Sequence, residues 1–523
     1  MIELQAISRT RRVRKPLQTF DGLLRLGYNT VQAGERVLRP PQEALSLAMR
    51  RTKIVCTIGP ASESADMLKA LAEAGMNVAR LNFSHGTKEE HGRRIEEIRR
   101  IERDTGAPIA ILQDLPGPKL RTGQMPDSVP LSQGERFVFT TRDVPGSAEE
   151  VNLPYPELVA QAKPGQQIFV DDGQFEFRIE SATPTDIVTK VVIGGMLGAH
   201  KGVNMPGAEI SLPSVTDTDI EDLRFGLAGD VDWVAASFVR HARDLDPVRE
   251  VIKNSGKPVR LIAKIEKSEA VEDIDAIIRA ADGIMIARGD LGVEMPLEKV
   301  PAVQKAIIRK CNSAGKPVIT ATQMLDSMIR NRRPTRAEVT DVANAIFDGT
   351  DAVMLSGETA IGQFPIDAIT MMSKIAVQAE STLDYRQLWE ERTAAAAKTV
   401  TDAIAQATVD IALDLGATAI VTPTSSGATG RAVSKYRPEA PIIAAATMPS
   451  TFRQLALSWG VYPVLVAPSR NTDDMIEEAV EGAERAGLVK KGDTIVLTAG
   501  IPAGAPGRTN LIKVHTVGQA VRT

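Results

Sequence analysis

The sequence predicts an α/β protein with a (β/α)8 (TIM) barrel, an inserted all-β domain and a C-terminal open α/β domain. Short β-branched apolar runs alternate with helical periods from Lys53 onward, and one stretch of alternating residues rich in Gly, Pro and Asp interrupts this rhythm. At 523 residues, the chain is also too long for one compact core, so it should divide into several domains.

Eight strand candidates, each followed by a helical stretch, predict the closed barrel. They are KIVCTIG (53–59), NVARLNF (77–83), IAILQDL (109–115), DWVAASFV (232–239), VRLIAKIE (259–266), GIMIARGD (283–290), PVITATQ (317–323) and AVMLSGE (352–358). We assign residues 51–121 and 214–385 to this barrel.

The third βα unit is interrupted after IAILQDLPGPKLRTG. Residues 122–213 contain short alternating runs, such as RFVFTTRDV and IVTKVVIGG, and predict an inserted β-barrel that lies over the barrel mouth. The helix that completes this unit is expected near Thr218.

Residues 386–523 predict a separate α/β domain. A long helical period, AIAQATVDIALDLG, opens this region and five strand candidates follow it. They are AIVTPT, PIIAAAT, YPVLVAP, DTIVLTAG and LIKVHTV.

The composition excludes several classes of protein. Lys and Arg number 62 against 66 Asp and Glu, so the chain has no global basic field for nucleic acid. No apolar run approaches the roughly 20 residues that span a bilayer, and no secretory signal pattern is present. Cys56 and Cys311 lack metal-ligand spacing and predict two buried free thiols, which fits a reducing cytoplasm.

Residues 1–50 form a basic extension, with nine Lys and Arg against four Asp and Glu. One interpretation is an organelle transit peptide. The other, which the apolar residues in this segment favour, is a partly helical extension that packs on the body of the protein or on a neighbouring subunit.

Polar and charged residues collect at the predicted strand ends, where a barrel of this type places its reactive groups on one face. Such groups are costly to bury unless they are paired or coordinated, so together they predict a shared site. They are Arg80, Asn82, Ser84, His85, Asp114, Lys119, Arg121, Lys264, Glu266, Arg288, Gly289, Asp290, Thr322, Gln323, Ser356 and Glu358.

Two carboxylates on adjacent predicted strands indicate a divalent metal site. Glu266 and Asp290 offer hard oxygen ligands for Mg2+ or Mn2+, and the lack of a nearby histidine disfavours zinc. Lys264 shares the strand face of Glu266, because side chains alternate along a strand. Its ammonium would therefore lie beside the metal and stabilise charge on a transferring phosphoryl group or on an enolate oxygen.

The remaining groups indicate the class of substrate. The turn at residues 289–292 would present backbone N–H groups to an anion such as a carboxylate. Arg80 and Arg121 add bidentate donors for phosphate oxygens. The residues by themselves therefore predict a phosphorylated, carboxylate-bearing substrate and a divalent metal.

The sequence resembles the pyruvate kinase family over about residues 52–523. The most specific motifs are ARGDLG, ATQML and PTRAE. The other matching segments, in the family's order, include KIVCTIGPAS, NVARLNFSHG, DLPGPKLRTG, KGVNMPG and SKYRP. The resemblance implies phosphoryl transfer from phosphoenolpyruvate to ADP, giving pyruvate and ATP in the last step of glycolysis. It also implies a homotetramer.

The resemblance assigns roles to the catalytic residues. Glu266 and Asp290 would hold the divalent ion, and Lys264 would stabilise the phosphoryl group and the enolate. The substrate carboxylate would lie against the backbone of Gly289 and Asp290 and against Thr322. The Thr322 hydroxyl would belong to the route by which a proton reaches the enolate to give pyruvate. The ultimate proton donor is left open, and water is one candidate.

The resemblance also implies nucleotide contacts and a lid. Arg80 and Arg121 would hold phosphates, and His85 and Lys201, with Arg121, would contact the nucleotide. The inserted domain would close over the site and exclude water, so that the phosphoryl group passes to ADP and is not hydrolysed.

One departure from the family pattern concerns potassium. Many relatives hold K+ at the positions of Asn82, Ser84, Asp114 and Leu115, but here Lys119 replaces a family glutamate. Its ammonium would substitute for the monovalent cation, so we predict that K+ is not required. The alternative is that Lys119 is a solvated surface charge and that K+ still binds.

A second departure from the family pattern lies in the C-terminal domain. The resemblance implies that this domain is regulatory. The turn TPTSSGATG is rich in hydroxyl groups and precedes a helix, so it suits the phosphate of a sugar-phosphate or nucleotide effector. The expected contacts are Thr424, Ser425, Ser426, Gly427 and Thr429. Ser425 and Ala428 replace basic residues of some relatives, and a simple helix cap is the alternative.

Two other functions compete with this one. A magnesium-dependent pyruvate-enolate lyase or aldolase would share the Glu and Asp ligands, but it would lack the inserted domain and the two phosphate-binding arginines. A catalytically silent regulatory relative would have no need of an intact Lys264, Glu266, Asp290 and Thr322.

Overall fold

The computed structural model describes residues 49–208, 213–394, 399–469, 471–501 and 509–521. The two interpretations of the N-terminal extension therefore concern residues that lie almost entirely outside the described ones. The strands are β1 (Lys53–Thr57), β2 (Val78–Asn82), β3 (Ala110–Asp114), β4 (Val129–Leu131), β5 (Arg136–Thr140), β6 (Glu150–Asn152), β7 (Gln167–Val170), β8 (Phe175–Ala182), β9 (Asp186–Ile193), β10 (Gly195–Leu197), β11 (Val203–Asn204), β12 (Trp233–Val239), β13 (Arg260–Ile265), β14 (Gly283–Ala287), β15 (Val318–Ala321), β16 (Ala352–Leu355), β17 (Ala419–Thr424), β18 (Ile442–Ala446), β19 (Val461–Leu465), β20 (Thr494–Ala499) and β21 (Leu511–Thr516).

The α-helices of the described residues follow the strands in a regular alternation outside the inserted region. They are α1 (Ala65–Glu73), α2 (Lys88–Thr105), α3 (Pro156–Gln161), α4 (Asp217–Ala228), α5 (Asp246–Ser255), α6 (Ser268–Glu272), α7 (Ile274–Ala280), α8 (Arg288–Glu294), α9 (Val300–Ala314), α10 (Arg336–Phe347), α11 (Gly357–Ala360), α12 (Pro365–Glu380), α13 (Tyr385–Ala394), α14 (Val400–Asp414), α15 (Ala428–Ser434), α16 (Pro449–Gln454) and α17 (Thr472–Arg485).

Eight parallel strands close into a barrel in the order β1-β16-β15-β14-β13-β12-β3-β2, which confirms the predicted fold. Alternate residues of these strands fill the interior, as Leu112 and Trp233 do, while their neighbours pack against the surrounding helices. Ala456 and Leu457 of the C-terminal domain join this interior cluster. The site must therefore lie at the opposite end, where the strands finish.

All eight barrel strands are shorter than predicted, by one to three residues, and two of them end where a helix begins. The sixth ends at Ala287, and Arg288–Glu294 forms helix α8 in place of the predicted turn at residues 289–292. The eighth ends at Leu355 and the short helix α11 follows. In both segments a polar side chain has a hydrogen-bond partner outside the sheet, Asp341 for Arg288 and the Leu325 N–H for Glu358. Strand periodicity alone does not reveal these contacts.

The inserted region lies between β3 and α4, as predicted, and is all-β apart from α3. Its strands form a six-stranded sheet in the order β11-β7-β8-β9-β5-β6 and a two-stranded ladder of β10 and β4. This arrangement confirms the predicted all-β insertion, and its description as a β-barrel stays a prediction. The limits 122 and 213 stay predictions. Helix α4 resumes the barrel with Thr216 as N-cap, in a capping box with Asp219.

The C-terminal domain is an open α/β sheet in the order β19-β18-β17-β20-β21, and all five predicted strands are present. Only β21 runs antiparallel to its neighbour. Arg453 of α16 fixes this domain to the barrel, because its guanidinium lies 2.7 Å from Asp232 at the start of β12.

Both cysteines are buried and free, as the sequence predicts. Within the described residues, no helix is both long and apolar enough to cross a bilayer.

Candidate active site

Lys264 is the centre of the polar cluster at the strand ends. Its Nζ lies 2.7 Å from Ser237 Oγ, 2.9 Å from Glu266 Oε1 and 3.2 Å from Asp114 Oδ1. Burial alone would lower the pKa of Lys264, but the two carboxylates more than offset it and raise that pKa above its ordinary value. The side chain is therefore a permanent cation at neutral pH.

Arg80 and Asp114 form a buried ion pair across β2 and β3. The guanidinium Nε donates to Asp114 Oδ2 at 2.7 Å, and the same group donates to Thr57 Oγ1 at 2.9 Å. Burial would raise the pKa of Asp114, but the cations Lys264 and Arg80 hold it below its ordinary value. Asp114 Oδ1 makes no hydrogen bond of good geometry and is paired electrostatically with Lys264 Nζ at 3.2 Å.

Glu266 and Asp290 face the same space from the ends of β13 and β14. Glu266 is buried, and its Oε2 accepts a 2.7 Å hydrogen bond from the Phe238 backbone N–H. Burial first, and then the negative charge of Glu266, raise the pKa of Asp290. Two carboxylates with this mutual repulsion form a site that a divalent cation would stabilise.

The described residues contain no cluster of three or more His, Cys, Asp and Glu side chains that could hold a metal. Two carboxylates therefore fit a hard cation that takes its remaining ligands from substrate and water, as Mg2+ commonly does. Both donors are carboxylate oxygens, which are ligands that hard divalent cations prefer.

Thr322 lies directly after β15 and faces helix α8. Its Oγ1 accepts a 2.8 Å hydrogen bond from the Gly289 N–H and donates to the Ala321 carbonyl at 2.7 Å. Thr322 has a backbone φ of +68° and Gln323 one of +54°. For the β-branched Thr322 this left-handed conformation is unfavourable and costs about 1–3 kcal/mol. The sequence predicts that the Gly289 N–H binds a substrate anion. In this conformation the same N–H donates its hydrogen bond to Thr322 Oγ1.

Arg288 supports this arrangement and does not pair with Asp290. Its guanidinium donates to the Thr322 carbonyl at 2.8 Å and to Asp341 Oδ1 at 2.7 Å. The charge of Asp290 is therefore left facing Glu266 and Lys264.

Two basic residues of the barrel, Lys119 and Arg121, contact the inserted domain, and a third, Lys201, belongs to it. Lys119 Nζ lies 2.9 Å from Asp172 Oδ1, and Lys201 Nζ lies 2.9 Å from Asp171 Oδ2. Arg121 is exposed, and its guanidinium donates to the His200 carbonyl at 3.0 Å. Lys119 and Arg121 therefore lie at the junction of the barrel and the inserted domain.

The other predicted residues border this cluster. Asn82 Oδ1 accepts from the Ser84 N–H at 3.2 Å, and the His85 side chain is exposed. The Leu115 carbonyl accepts from Ser237 Oγ at 2.7 Å. In this conformation the Lys119 ammonium pairs with Asp172 of the inserted domain.

Comparison with known proteins identifies this architecture. The family model of the pyruvate kinase barrel domain matches residues 49–369, and that of the pyruvate kinase alpha/beta domain matches residues 402–515. The chain belongs to the pyruvate kinase family.

Individual relatives agree with this assignment. The chain is 52% identical over 472 residues to a pyruvate kinase of Geobacillus stearothermophilus, which covers 90% of this chain and 80% of the relative. It is 46% identical to a pyruvate kinase of Clostridium acetobutylicum, over 90% of this chain and 100% of the relative. A crystal structure of a pyruvate kinase from Cryptosporidium parvum superposes with a TM-score of 0.86 at 38% identity, covering 90% of this chain and 97% of that one.

Membership of the pyruvate kinase family makes the chain a phosphotransferase and implies dependence on a divalent metal. The lyase or aldolase and the silent regulatory relative are not favoured, because both barrel and C-terminal domains match pyruvate kinases.

Two basic residues that were not predicted from the sequence hold the turn proposed for an effector. Gly427 has φ +79° and its N–H donates to Thr424 Oγ1 at 2.8 Å. Arg431 and Arg260 each donate to the Ser426 carbonyl at 3.0 Å. Burial first, and then Arg260, lower the pKa of Arg431 to about 9.

Two hydroxyl-bearing positions of this turn are engaged inside the protein. Thr429 Oγ1 accepts a 3.2 Å hydrogen bond from Thr509, and the Ser425 carbonyl accepts a 2.7 Å bond from Thr451. The Thr429 hydroxyl is thus buried beneath the turn, while the Thr424 side chain closes it.

Two residues that were not predicted from the sequence also contact the polar cluster at the strand ends. Ser237 contacts Lys264, and the Phe238 N–H binds Glu266. The bulge of β12 at this point and the φ of +53° at Phe238 aim that N–H inward. The only sequence signal was the unusual serine within an apolar strand.

Proposed function

We propose that this chain transfers the phosphoryl group of phosphoenolpyruvate to ADP with the strand-end cluster as its catalytic centre. The single observation that carries the proposal is the position of Lys264, whose ammonium lies 2.9 Å from Glu266 and 3.2 Å from Asp114 in a buried site. A fixed cation beside two carboxylates is suited to charge that develops during phosphoryl transfer.

Each residue takes a distinct role in the proposed reaction. Glu266 and Asp290 would hold Mg2+ or Mn2+, which supplies Lewis-acid stabilisation of the substrate's oxygen charges. Lys264 stabilises the phosphoryl oxygens while the bond between phosphorus and the enol oxygen breaks and the bond to the β-phosphate oxygen of ADP forms. Arg80, fixed by Asp114, holds the phosphoryl group in line.

The pyruvate enolate then takes a proton on carbon. The Thr322 hydroxyl lies against the Gly289 N–H, next to Asp290, and belongs to this proton route. Gly289, Asp290 and Thr322 also form the edge on which the substrate carboxylate binds. The ultimate proton source is a group or water molecule that reaches this hydroxyl.

The nucleotide enters between the barrel and the inserted domain. Arg121, Lys201 and the exposed His85 contact its phosphates and ribose in this proposal. Closure of the inserted domain excludes water from the transferring phosphoryl group.

We propose that potassium is not required. Lys119 supplies a positive charge at the junction beside Asp290, whose pKa it lowers in opposition to burial and Glu266. An obligatory K+ site built from Asn82, Ser84, Asp114 and Leu115 is therefore not expected.

We propose a regulatory site at the Thr424–Thr429 turn for the phosphate of a sugar-phosphate or nucleotide effector. Arg431 and Arg260 place two guanidinium groups against Ser426, which supports an anion there. Half-saturation by phosphoenolpyruvate, measured with and without a panel of sugar phosphates and nucleoside monophosphates, tests this site. We also propose that the protein is a homotetramer, which light scattering tests, and that it is located in the cytoplasm.

The central experiment measures pyruvate formed from phosphoenolpyruvate with Mg2+, with and without ADP, in tetramethylammonium buffer with and without added K+. Formation that requires ADP supports the kinase, whereas pyruvate that appears without ADP would support the lyase or aldolase. No pyruvate under any condition would support the silent relative.

A further inference from the structure

Glu294 joins three separate parts of the molecule. It is the last residue of α8, and only 2% of its side chain is exposed. Its Oε1 lies 2.6 Å from Lys267 Nζ and 2.7 Å from Asn204 Nδ2. One carboxylate oxygen thus binds a loop of the barrel and a strand of the inserted domain.

The barrel partner is adjacent to a proposed metal ligand. Lys267 directly follows Glu266 at the end of β13, and Glu294 lies one helical turn after Asp290 on α8. The ion pair between Lys267 and Glu294 therefore links the two backbone segments that present the two carboxylates. This link restrains the spacing of those carboxylates without touching them.

The other partner belongs to the inserted domain. Asn204 lies on β11, opposite Phe169 of β7, and β7 leads into the turn that carries Asp171 and Asp172. At the end of this turn, a Cβ atom on Gly173 would lie 3.5 Å from the Val293 side chain of α8. The inserted domain therefore rests on the helix that Glu294 ends.

We propose that Glu294 is a positioning residue that fixes α8 relative to Glu266 and holds the inserted domain on this helix. The inference rests on the proposed metal-binding roles of Glu266 and Asp290. Because the Glu294 carboxylate is enclosed by Lys267 and Asn204, it acts through these partners and contacts no substrate.

The test is Mn2+ binding to the purified protein without substrate, followed by the electron paramagnetic resonance signal of free Mn2+. Glu294→Ala should weaken Mn2+ binding about 10–100-fold, the range typical for groups that orient metal ligands. Glu294→Gln keeps an oxygen acceptor for both donors and should recover most of this affinity. Glu298→Ala, an exposed residue four positions later, is the matched control and should bind Mn2+ as the wild type does.

Wild-type Mn2+ affinity in Glu294→Ala, or equal weakening in Glu294→Ala and Glu294→Gln, would overturn the proposal. Glu266→Gln separates this failure from a failure of the proposed function. If Glu266→Gln abolishes Mn2+ binding while Glu294→Ala does not change it, only the positioning role is wrong. If neither variant changes it, the metal site itself is wrong.

Two further variants keep the proposal testable if Glu294→Ala does not fold. Lys267→Met breaks the same link from the other side and should weaken Mn2+ binding as Glu294→Ala would. Asn204→Ala leaves the ion pair intact and removes only the contact with the inserted domain. It should raise the KM for ADP with Mn2+ affinity unchanged, and an unchanged KM would refute the role of Glu294 in holding that domain.

Discussion

Lys264 Nζ lies 2.9 Å from Glu266 Oε1, and both residues come from the end of the same strand. The two side chains share one face because they are two residues apart, and burial makes the cation and the carboxylate depend on each other. The cation of this pair is suited to stabilising a transferring phosphoryl group. Because both charges are buried, removing either one should also destabilise the fold.

We expect Lys264→Met to reduce kcat by about 10²–10³-fold or more, because it removes a preorganised cation from the transferring phosphoryl group. KM for phosphoenolpyruvate should change much less. Steady-state kinetics with Mg2+ measure this, and Lys299→Met at an exposed position is the control. A Lys264→Met variant within tenfold of wild-type kcat would contradict the assignment.

Thr322→Val should reduce kcat by about 10²–10⁴-fold, since it removes the hydroxyl from the proton route with little change of shape. Thr322→Ser retains the hydroxyl that binds the Gly289 N–H and should stay much closer to wild type. Pyruvate formation measures both variants. If the serine variant is as impaired as the valine variant, the role of Thr322 is in the backbone conformation and not in its hydroxyl.

Potassium dependence should appear when the charge at residue 119 is reversed. Wild-type protein is expected to be active in tetramethylammonium buffer, and Lys119→Glu should become inactive there and recover with added K+. Arg136→Glu, an exposed charge reversal in the inserted domain, is the control and should keep the wild-type response. Wild-type activity that requires K+ would refute the proposed role of Lys119.

The Arg80 and Asp114 ion pair should stabilise the fold in a pH-dependent manner. The pKa of Asp114 is lowered in the folded state, so its ionised form contributes stability that is complete above the unfolded pKa of about 4. That stability is lost as pH falls through the lower, folded pKa. Urea unfolding should therefore show that Asp114→Asn is much less stable than the wild type at pH 6. This difference in the free energy of unfolding should shrink below about pH 4.

A deficit that stays constant with pH would show that Asp114 acts through its hydrogen bond and shape alone. Asp104→Asn, on the exposed end of α2, is a suitable control, because its carboxylate forms only a surface ion pair at 3.6 Å.

The sequence predicted the secondary structure of the barrel well but placed its strand ends less accurately. Residues 283–290 read as one strand, yet the strand ends at Ala287 and Arg288–Glu294 is helical. The Arg288 side chain binds Asp341 and the Thr322 carbonyl across the site. These partners are distant in sequence, so no local pattern reveals them. The inserted domain illustrates the same limit, since its alternating runs predict strands but not their order.

The sequence by itself determined the class of fold, because hydrophobic period and turn residues are local properties. It also placed Lys264 and Glu266 on one strand face, because side-chain alternation is local too. Other contacts depend on the tertiary structure. Ser237 and Asp114 contact Lys264, and Lys119 pairs with Asp172. Glu294 joins Lys267 to Asn204. Those contacts form when barrel closure and domain docking bring remote segments together, and burial then makes each unpaired charge too costly to leave alone.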